Sequence, residues 1–205
     1  MGSNPIPGTS INMLKEFKLN WTLDSDLGEV DDKDKIIYQL IEETANDSNS
    51  SKFREDVTKW VVGLETSESK RGYDDDFTAI EVKPQNYNGG VKLCGKGAFT
   101  DFTWKRDEKY FNDNVKMLIS GFCYGKLVFI IEFPYKSLRE VIHKYLHNQL
   151  PNGDEKNRYV RTIIFTYKTW MDKSYEIKYV TPNLEKYRYC IVKDFYKLLE
   201  DNLGK

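Results

Sequence analysis

The sequence predicts an α/β (α+β) fold in which a central mixed sheet is flanked by helices. Two observations predict this class: apolar residues recur at helical spacing near both ends of the chain, and several short apolar runs lie between them. A length of 205 residues, 40% of them hydrophobic, is enough for the core of one domain. A chain of this length is typical of one domain, and we expect a single domain over residues 11–205.

The N-terminal part of the chain predicts a leader, two helices and a strand. Residues 1–10 are rich in Gly, Ser and Pro and are expected to be disordered. Residues 31–45 and 51–64 carry apolar side chains at helical spacing, and Asp31 or Asp32 can cap the first helix. The alternation that follows predicts a strand over residues 77–83.

The C-terminal part predicts strands with short links, followed by helices, which favours a mixed or antiparallel sheet. The segment 87–97 contains two adjacent glycines and is expected to be a loop, and Tyr124-Gly125-Lys126 is expected to be a hairpin turn. The patterns predict strands at 98–106, 115–124, 127–133, 159–168 and 175–180, and helices at 137–150, capped by Ser137, and at 184–200.

The composition argues against a membrane or secreted protein. Mean hydropathy is -0.64, and no run of about 18 apolar residues occurs. The N-terminus lacks the basic and then apolar pattern of a secretory signal. The three cysteines, Cys94, Cys123 and Cys190, are odd in number and far apart, which suits a reducing compartment better than a disulfide scaffold. We therefore expect a cytoplasmic protein.

Charge is distributed unevenly along the chain, although the formal net charge is only -1. Residues 1–82 hold 9 Lys and Arg against 18 Asp and Glu, whereas residues 83–205 hold 22 against 14. This polarity predicts that the later part carries a surface for a polyanion such as nucleic acid. The alternative is that the basic residues are spread around the domain and face water.

The predicted strand 77–83 carries a carboxylate and a lysine two positions apart, Glu81 and Lys83. Side chains at i and i+2 of a strand share a face, so these two project together while Ile80 and Val82 face the other way into a core. A carboxylate suits Mg²⁺, and a lysine beside it suits a phosphoryl oxygen. A similar triplet, Glu176-Ile177-Lys178, is predicted to be an ordinary half-exposed strand.

An acidic run, Asp74-Asp75-Asp76, precedes this strand. On a straight strand Asp74 would lie roughly 23 Å from Glu81, at about 3.3 Å per residue. Two carboxylates that share a metal must lie much closer, so the chain must fold back, and the residues around Tyr73 are turn-prone enough to allow this. We expect Asp74 or Asp75 to join Glu81, whereas Asp76 fits a solvated turn equally well. The alternative for the whole run is a charged loop.

The arrangement Asp74…Glu81-Val82-Lys83 resembles the signature of the PD-(D/E)xK nuclease superfamily. The short gap is similar to that of the mismatch-repair nicking endonuclease MutH and of type II restriction enzymes related to it. Tyr73 stands where the pattern has a proline. The resemblance implies a restriction-endonuclease-like fold and a Mg²⁺ cofactor. It implies catalysis by Asp74, Glu81 and Lys83, with the metal held by Asp74, Asp75, Glu81 and the Val82 backbone carbonyl.

Three further residues are candidates for the site. Asp101 lies within a predicted strand and would be a ligand or a hydrogen-bonding partner if that strand lies beside 77–83. Gln85 follows the motif strand and is a candidate for reading bases. Glu55 lies on helix 51–64, from which it could reach a metal. The alternatives are a polar, solvated face for Asp101 and Glu55, and turn chemistry for Gln85.

Together with these residues, the resemblance implies a Mg²⁺-dependent endonuclease acting on double-stranded DNA, of the sequence-specific type II restriction class. A homodimer is the natural form if the target is palindromic. One alternative is a DNA nicking or repair nuclease of the same fold. Another is a non-catalytic module that binds nucleic acid or protein.

Overall fold

A computed structural model describes residues 7–23, 32–47, 51–64 and 79–203. Within these ranges lie seven α-helices, six strands and two 3₁₀ segments. The helices are α1 Pro7–Thr22, α2 Asp32–Asn46, α3 Ser51–Val61, α4 Trp104–Asn112, α5 Arg139–Gln149, α6 Tyr167–Trp170 and α7 Lys193–Glu200, and the 3₁₀ segments are Tyr135–Leu138 and Leu184–Cys190. The strands are β1 Ile80–Tyr87, β2 Gly97–Phe102, β3 Lys116–Cys123, β4 Lys126–Pro134, β5 Val160–Phe165 and β6 Glu176–Val180.

Four of the strands form a mixed sheet in the order β1-β3-β4-β6. Strand β1 runs parallel to β3, whereas β3 pairs antiparallel with β4, and β4 antiparallel with β6. Strands β2 and β5 form a separate antiparallel pair. The predicted fold class, a mixed sheet flanked by helices, is therefore confirmed.

Two apolar cores cover the two faces of the sheet. On one face the first three helices pack onto the strands, so that Phe53 and Val57 of α3 share a core with Val82 of β1. On the other face, α5, α7 and the β2–β5 pair pack around Met117 and Ile119 of β3. This division follows from the strand period of two, which sends successive side chains of β1 and β3 to opposite faces.

The peptide groups of β1 point alternately towards β3 and away from it. The Lys116 amide donates to the Ala79 carbonyl at 3.0 Å, so Ala79, Glu81 and Lys83 direct their peptide groups towards β3. Val82 and Pro84 direct theirs to the opposite side of the strand. Pro84 can therefore occupy the strand without removing a bond to β3. As a result, β1 runs on to Tyr87, four residues beyond the predicted end, and residues 77 and 78 lie outside the described residues.

Several other predicted elements are present with shifted ends. Helices α2 and α3 confirm the patterns at 31–45 and 51–64, and the hairpin at Tyr124-Gly125-Lys126 joins β3 to β4 as expected. Strands β5 and β6 confirm the strands predicted at 159–168 and 175–180. Helix α1 was not predicted. It begins at Pro7, so it overlaps the end of the segment 1–10 in which we expected disorder, and residues 1–6 lie outside the described part of the chain.

Three predictions of where a strand or helix begins or ends are wrong. Strand 98–106 is wrong beyond Phe102, because Thr103 caps α4 there by accepting from the Arg106 amide. Ser137 is not a helix cap, since it lies inside a 3₁₀ turn before α5. Helix 184–200 is interrupted at Ile191, where extended backbone bridges to Leu93.

Among the described residues, no helix is both long enough and apolar enough to cross a bilayer.

Candidate functional site

Glu81 occupies the face of β1 that is turned towards α4. Its side chain is only 6% exposed, and both carboxylate oxygens have partners. The Nζ atom of Lys83 lies 2.5 Å from Oε1, and the Tyr110 hydroxyl donates to Oε2 at 2.9 Å. A guanidinium nitrogen of Arg106, Nη2, lies 3.8 Å from Oε1. The structure thus confirms that Glu81 and Lys83 project together from the strand.

Helix α4 supplies the other two members of this site, which we call the Glu81 cluster (Glu81, Lys83, Arg106 and Tyr110). Residues 106 and 110 share one helix face because they are four positions apart. Arg106 donates from Nε and Nη2 to the Tyr110 hydroxyl, at 3.3 and 2.8 Å, and from Nη1 to the Thr100 carbonyl at 3.1 Å. These three bonds fix the guanidinium beside the carboxylate.

The start of α4 is held in place from a distance. The Asp154 carboxylate accepts from the backbone amides of Trp104 and Lys105, each at 2.8 Å. A carboxylate at a helix N-terminus satisfies amides that lack helical partners and complements the helix dipole. The loop that carries Asp154 therefore helps to position the face of α4 that meets Glu81.

Burial and charge set the protonation of this cluster. Burial and the nearby Glu81 charge raise the pKa of Tyr110, so its hydroxyl keeps its proton and remains a donor. Burial lowers the pKa of Arg106, but Tyr110 and Glu81 outweigh this and leave the pKa above its ordinary value. The cluster therefore presents one carboxylate among two cationic side chains and a neutral hydroxyl.

The second Glu-x-Lys triplet shows which property sets Glu81 apart. Lys178 lies 2.6 Å from Oε2 of Glu176, almost the same separation as in the first triplet. The Glu176 side chain is 65% exposed, however, against 6% for Glu81. Proximity to lysine therefore follows from strand geometry alone, whereas burial under α4 is specific to Glu81.

The predicted acidic partners of Glu81 lie outside the described residues. This holds for Asp74 and Asp75, as well as for Asp76 and the bend expected near Tyr73. Within residues 7–23, 32–47, 51–64 and 79–203, no three His, Cys, Asp or Glu residues form a group that could hold a metal.

Two oxygen ligands among the described residues suit Mg²⁺. The Glu81 carboxylate and the Val82 carbonyl are hard ligands, and this ion usually takes only one or two protein carboxylates and keeps several waters. Both Glu81 oxygens already accept from Lys83 and Tyr110. A metal ligand at Glu81 would therefore share these oxygens with their present donors, or displace the donors.

The structure does not bring the three additional candidates into the Glu81 cluster. Asp101 is exposed on β2, with left-handed backbone at φ 51°, at the position that the β2–β5 register skips. Glu55 lies on α3, which packs on the opposite face of the sheet. Gln85 shares the face of Glu81 and Lys83, but its side chain binds a loop. It donates to the Lys92 carbonyl at 3.0 Å and accepts from the Cys94 amide at 3.1 Å.

Sequence reasoning missed a second buried carboxylate, Asp107, which lies on α4 about one turn before Tyr110. It is fully buried and accepts from the Tyr135 hydroxyl at 2.7 Å and from Arg139 at 3.0 Å, and its Oδ2 lies 2.9 Å from Nε2 of His143. The highly charged run around it resembled a solvated turn. The spacing of Asp107 and Tyr110, three positions apart on a helix, was the available signal.

No protein-family model matches the chain, and no curated protein matches it significantly in sequence.

Proposed function

We propose that this chain is a Mg²⁺-dependent endonuclease that hydrolyses phosphodiester bonds in double-stranded DNA. The observation that supports the proposal best is the Glu81 cluster. A carboxylate at the edge of a mixed sheet lies beside two cations, Lys83 and Arg106, whose side chains are 24% and 35% exposed. A phosphate that approached from solvent would meet both cations next to a potential metal ligand.

In this proposal each residue of the cluster has a separate role. Glu81 and the Val82 carbonyl hold the metal, and Asp74 or Asp75 adds the second carboxylate implied by the sequence motif. Lys83 orients the attacking water or neutralises charge on the phosphoryl oxygens. Arg106 binds a phosphate oxygen, and Tyr110 keeps the Glu81 carboxylate in position. Magnesium bound there would polarise the phosphate and lower the pKa of a water ligand.

The test is incubation of supercoiled plasmid with the purified protein and Mg²⁺, beside a reaction with EDTA. We expect metal-dependent cleavage, with discrete linear fragments if the chain is a restriction enzyme. Open circles without linear product would indicate the alternative, a nicking or repair nuclease. Intact plasmid at every metal and protein concentration would contradict the proposed function.

The chain offers a matched control for the active-site variants. Glu81→Ala and Lys83→Ala should each abolish cleavage, because they remove a metal ligand and the neighbouring cation. Glu176→Ala and Lys178→Ala alter the same triplet on an exposed strand and should cleave as the wild type does. Full activity in either β1 variant would refute the assigned roles, provided that all four variants give the far-UV circular dichroism of the wild type.

A second candidate function is a non-catalytic module that binds nucleic acid or protein. One observation favours it: both oxygens of Glu81 are already satisfied by Lys83 and Tyr110, as expected for a buried structural carboxylate. In that case Mg²⁺ would change neither the melting temperature nor the plasmid. Raised thermal stability with Mg²⁺ that Glu81→Ala removes would instead support metal binding at β1.

We further propose that the enzyme acts as a homodimer on a palindromic site, since a two-fold protein then matches a two-fold target. Sedimentation of the protein with and without a duplex that it cleaves tests this. A single monomer on the cleaved duplex would exclude the dimer while leaving the hydrolytic proposal intact.

A further inference from the structure

A hollow beside α7 combines an apolar floor with a cationic rim. Its volume is about 320 Å³, and the floor includes Ile191 and Tyr196, both buried. Four cationic residues line it, Lys92, Arg188, Lys193 and Lys197, together with two acids, Asp194 and Glu200. We call this feature the α7 hollow.

Three of the four cations are available to a ligand. Arg188 lies 3.3 Å from Glu185, so part of its charge is already neutralised. No Asp or Glu of the described residues lies within 4.0 Å of the amines of Lys92, Lys193 or Lys197, and all three lysines are exposed. Lys193 and Lys197 lie four positions apart on α7 and therefore share one face of that helix.

A loop held by hydrogen bonds on both sides connects the α7 hollow to the Glu81 cluster. Gln85, two positions beyond Lys83 on the same face of β1, donates to the Lys92 carbonyl at 3.0 Å. On its other side the loop bridges to the segment before α7, because the Leu93 amide donates to the Cys190 carbonyl at 2.8 Å. The Val192 amide donates back to the Leu93 carbonyl at 2.9 Å. The hollow therefore holds a fixed position relative to Lys83.

We propose that the α7 hollow binds the phosphate backbone of double-stranded DNA, away from the bond that is cleaved. Flexible ammonium groups around a shallow site suit phosphates without reading sequence. The unpaired lysines are complementary to the charge of a duplex, and neutralising its phosphates supplies most non-specific affinity. This inference rests on the proposed function for its choice of polyanion, and it gives the basic C-terminal part of the chain a defined contact surface.

The test measures binding of a fluorescent duplex by anisotropy in EDTA, so that cleavage does not occur. The double variant Lys193→Glu/Lys197→Glu reverses two rim charges. Its matched control, Lys168→Glu/Lys173→Glu, makes the same charge change at two exposed lysines that do not line the hollow. Thermal melts followed by circular dichroism show whether both variants are folded.

We expect the α7 variant to bind DNA at least about tenfold more weakly than the control variant. The slope of log K against log salt concentration should also be shallower, by the amount that corresponds to about two phosphate contacts. Equal weakening in the two variants would mean that only net charge matters and would overturn the inference, as would a wild type that does not bind the duplex. A third outcome is that the α7 variant loses binding to phosphatidylserine vesicles but binds duplex DNA as the control variant does. The surface would then be one for anionic membranes, and the DNA assignment would be wrong.

The outcome is separable from that of the hydrolytic proposal. Binding through the α7 hollow without cleavage in Mg²⁺ would leave this inference standing and remove the nuclease. If the α7 variant instead cleaves DNA with Mg²⁺ as well as the wild type does at all salt concentrations, the nuclease proposal stands and the inference about the α7 hollow is wrong.

Discussion

The hydroxyl of Tyr110 donates a 2.9 Å hydrogen bond to Oε2 of Glu81, across 29 positions of sequence. This bond joins α4 to the edge strand of the sheet and satisfies a carboxylate that is almost completely buried. Two properties of Glu81 can therefore be measured independently, its contribution to folding and its proposed chemistry. Its contribution to folding depends on the donors that surround it, and its proposed chemistry depends on what it binds from solvent.

Tyr110→Phe should destabilise the protein. The phenyl ring fills the same space, but the buried carboxylate loses a donor, which costs about 1–3 kcal/mol of unfolding free energy. Urea denaturation measures the change, with Tyr159→Phe, an exposed tyrosine, as the control. A Tyr110→Phe stability equal to that of the control would show that water or Arg106 replaces the lost bond fully.

Asp107 should make stability depend on pH in the acid range. Burial raises the pKa of this carboxyl, but hydrogen bonds from Tyr135, Arg139 and His143 outweigh it and hold the pKa below its ordinary value. The unfolded chain therefore binds the proton more readily. The stability that Asp107 contributes is complete above about pH 4 and is lost as pH falls through the lower, folded pKa.

Asp107→Asn tests this assignment. The substitution removes the charged acceptor of three hydrogen bonds, and because the Arg139 side chain that loses its partner is 29% exposed, we expect a cost of about 1.5–3 kcal/mol at neutral pH. The variant should also lose less stability than the wild type when the pH is lowered below about 4. Urea denaturation across pH measures both effects, and Asp172→Asn, at an exposed position, should change neither. Parallel pH profiles for wild type and Asp107→Asn would assign acid sensitivity to other carboxyls.

Gln85→Ala should loosen the loop between β1 and β2 without altering the sheet. The amide side chain bonds the Lys92 carbonyl and the Cys94 amide, and each such bond contributes about 1 kcal/mol. Hydrogen exchange should accelerate at the Cys94 amide while the amides of β3 stay protected. Gln149→Ala, at an exposed helix end, is the control. Unchanged exchange at Cys94 would show that the bridge to Cys190 alone holds the loop.

Gly121→Ala should be strongly destabilising. A Cβ atom at this position would lie 2.1 Å from Cε1 of Phe129, directly across the β3–β4 pair. The aromatic ring is fully buried and can move only by disturbing the core, so we expect a cost of about 1–3 kcal/mol or more. Gly90→Ala, where the nearest atom is 3.9 Å away, should be close to neutral. Thermal unfolding of the two variants compares them, and equal melting temperatures would contradict the packing argument.

Patterns of short period predicted much of the fold. The period of two placed Glu81 and Lys83 on one face of β1, and helical spacing located α2 and α3, because both signals depend only on adjacent turns or alternate residues. The hairpin at Gly125 was also predicted from a local signal, the turn residues Tyr124-Gly125-Lys126. Helix α4 was not predicted, since residues 98–106 have the alternation of a strand. Its start combines a local cap, Thr103, with the Asp154 carboxylate, which accepts from the Trp104 amide across 50 positions of sequence.

The sequence by itself determined the class of the fold, the strand that carries the candidate carboxylate, and the side on which that carboxylate projects. Only the tertiary structure decided that Arg106 and Tyr110 enclose Glu81, that Gln85 binds a loop, and that Asp107 is buried. The physical reason is that strand and helix periods are set by backbone geometry within a few residues. The partners of a buried charge are set by which elements pack together, and no local period encodes that.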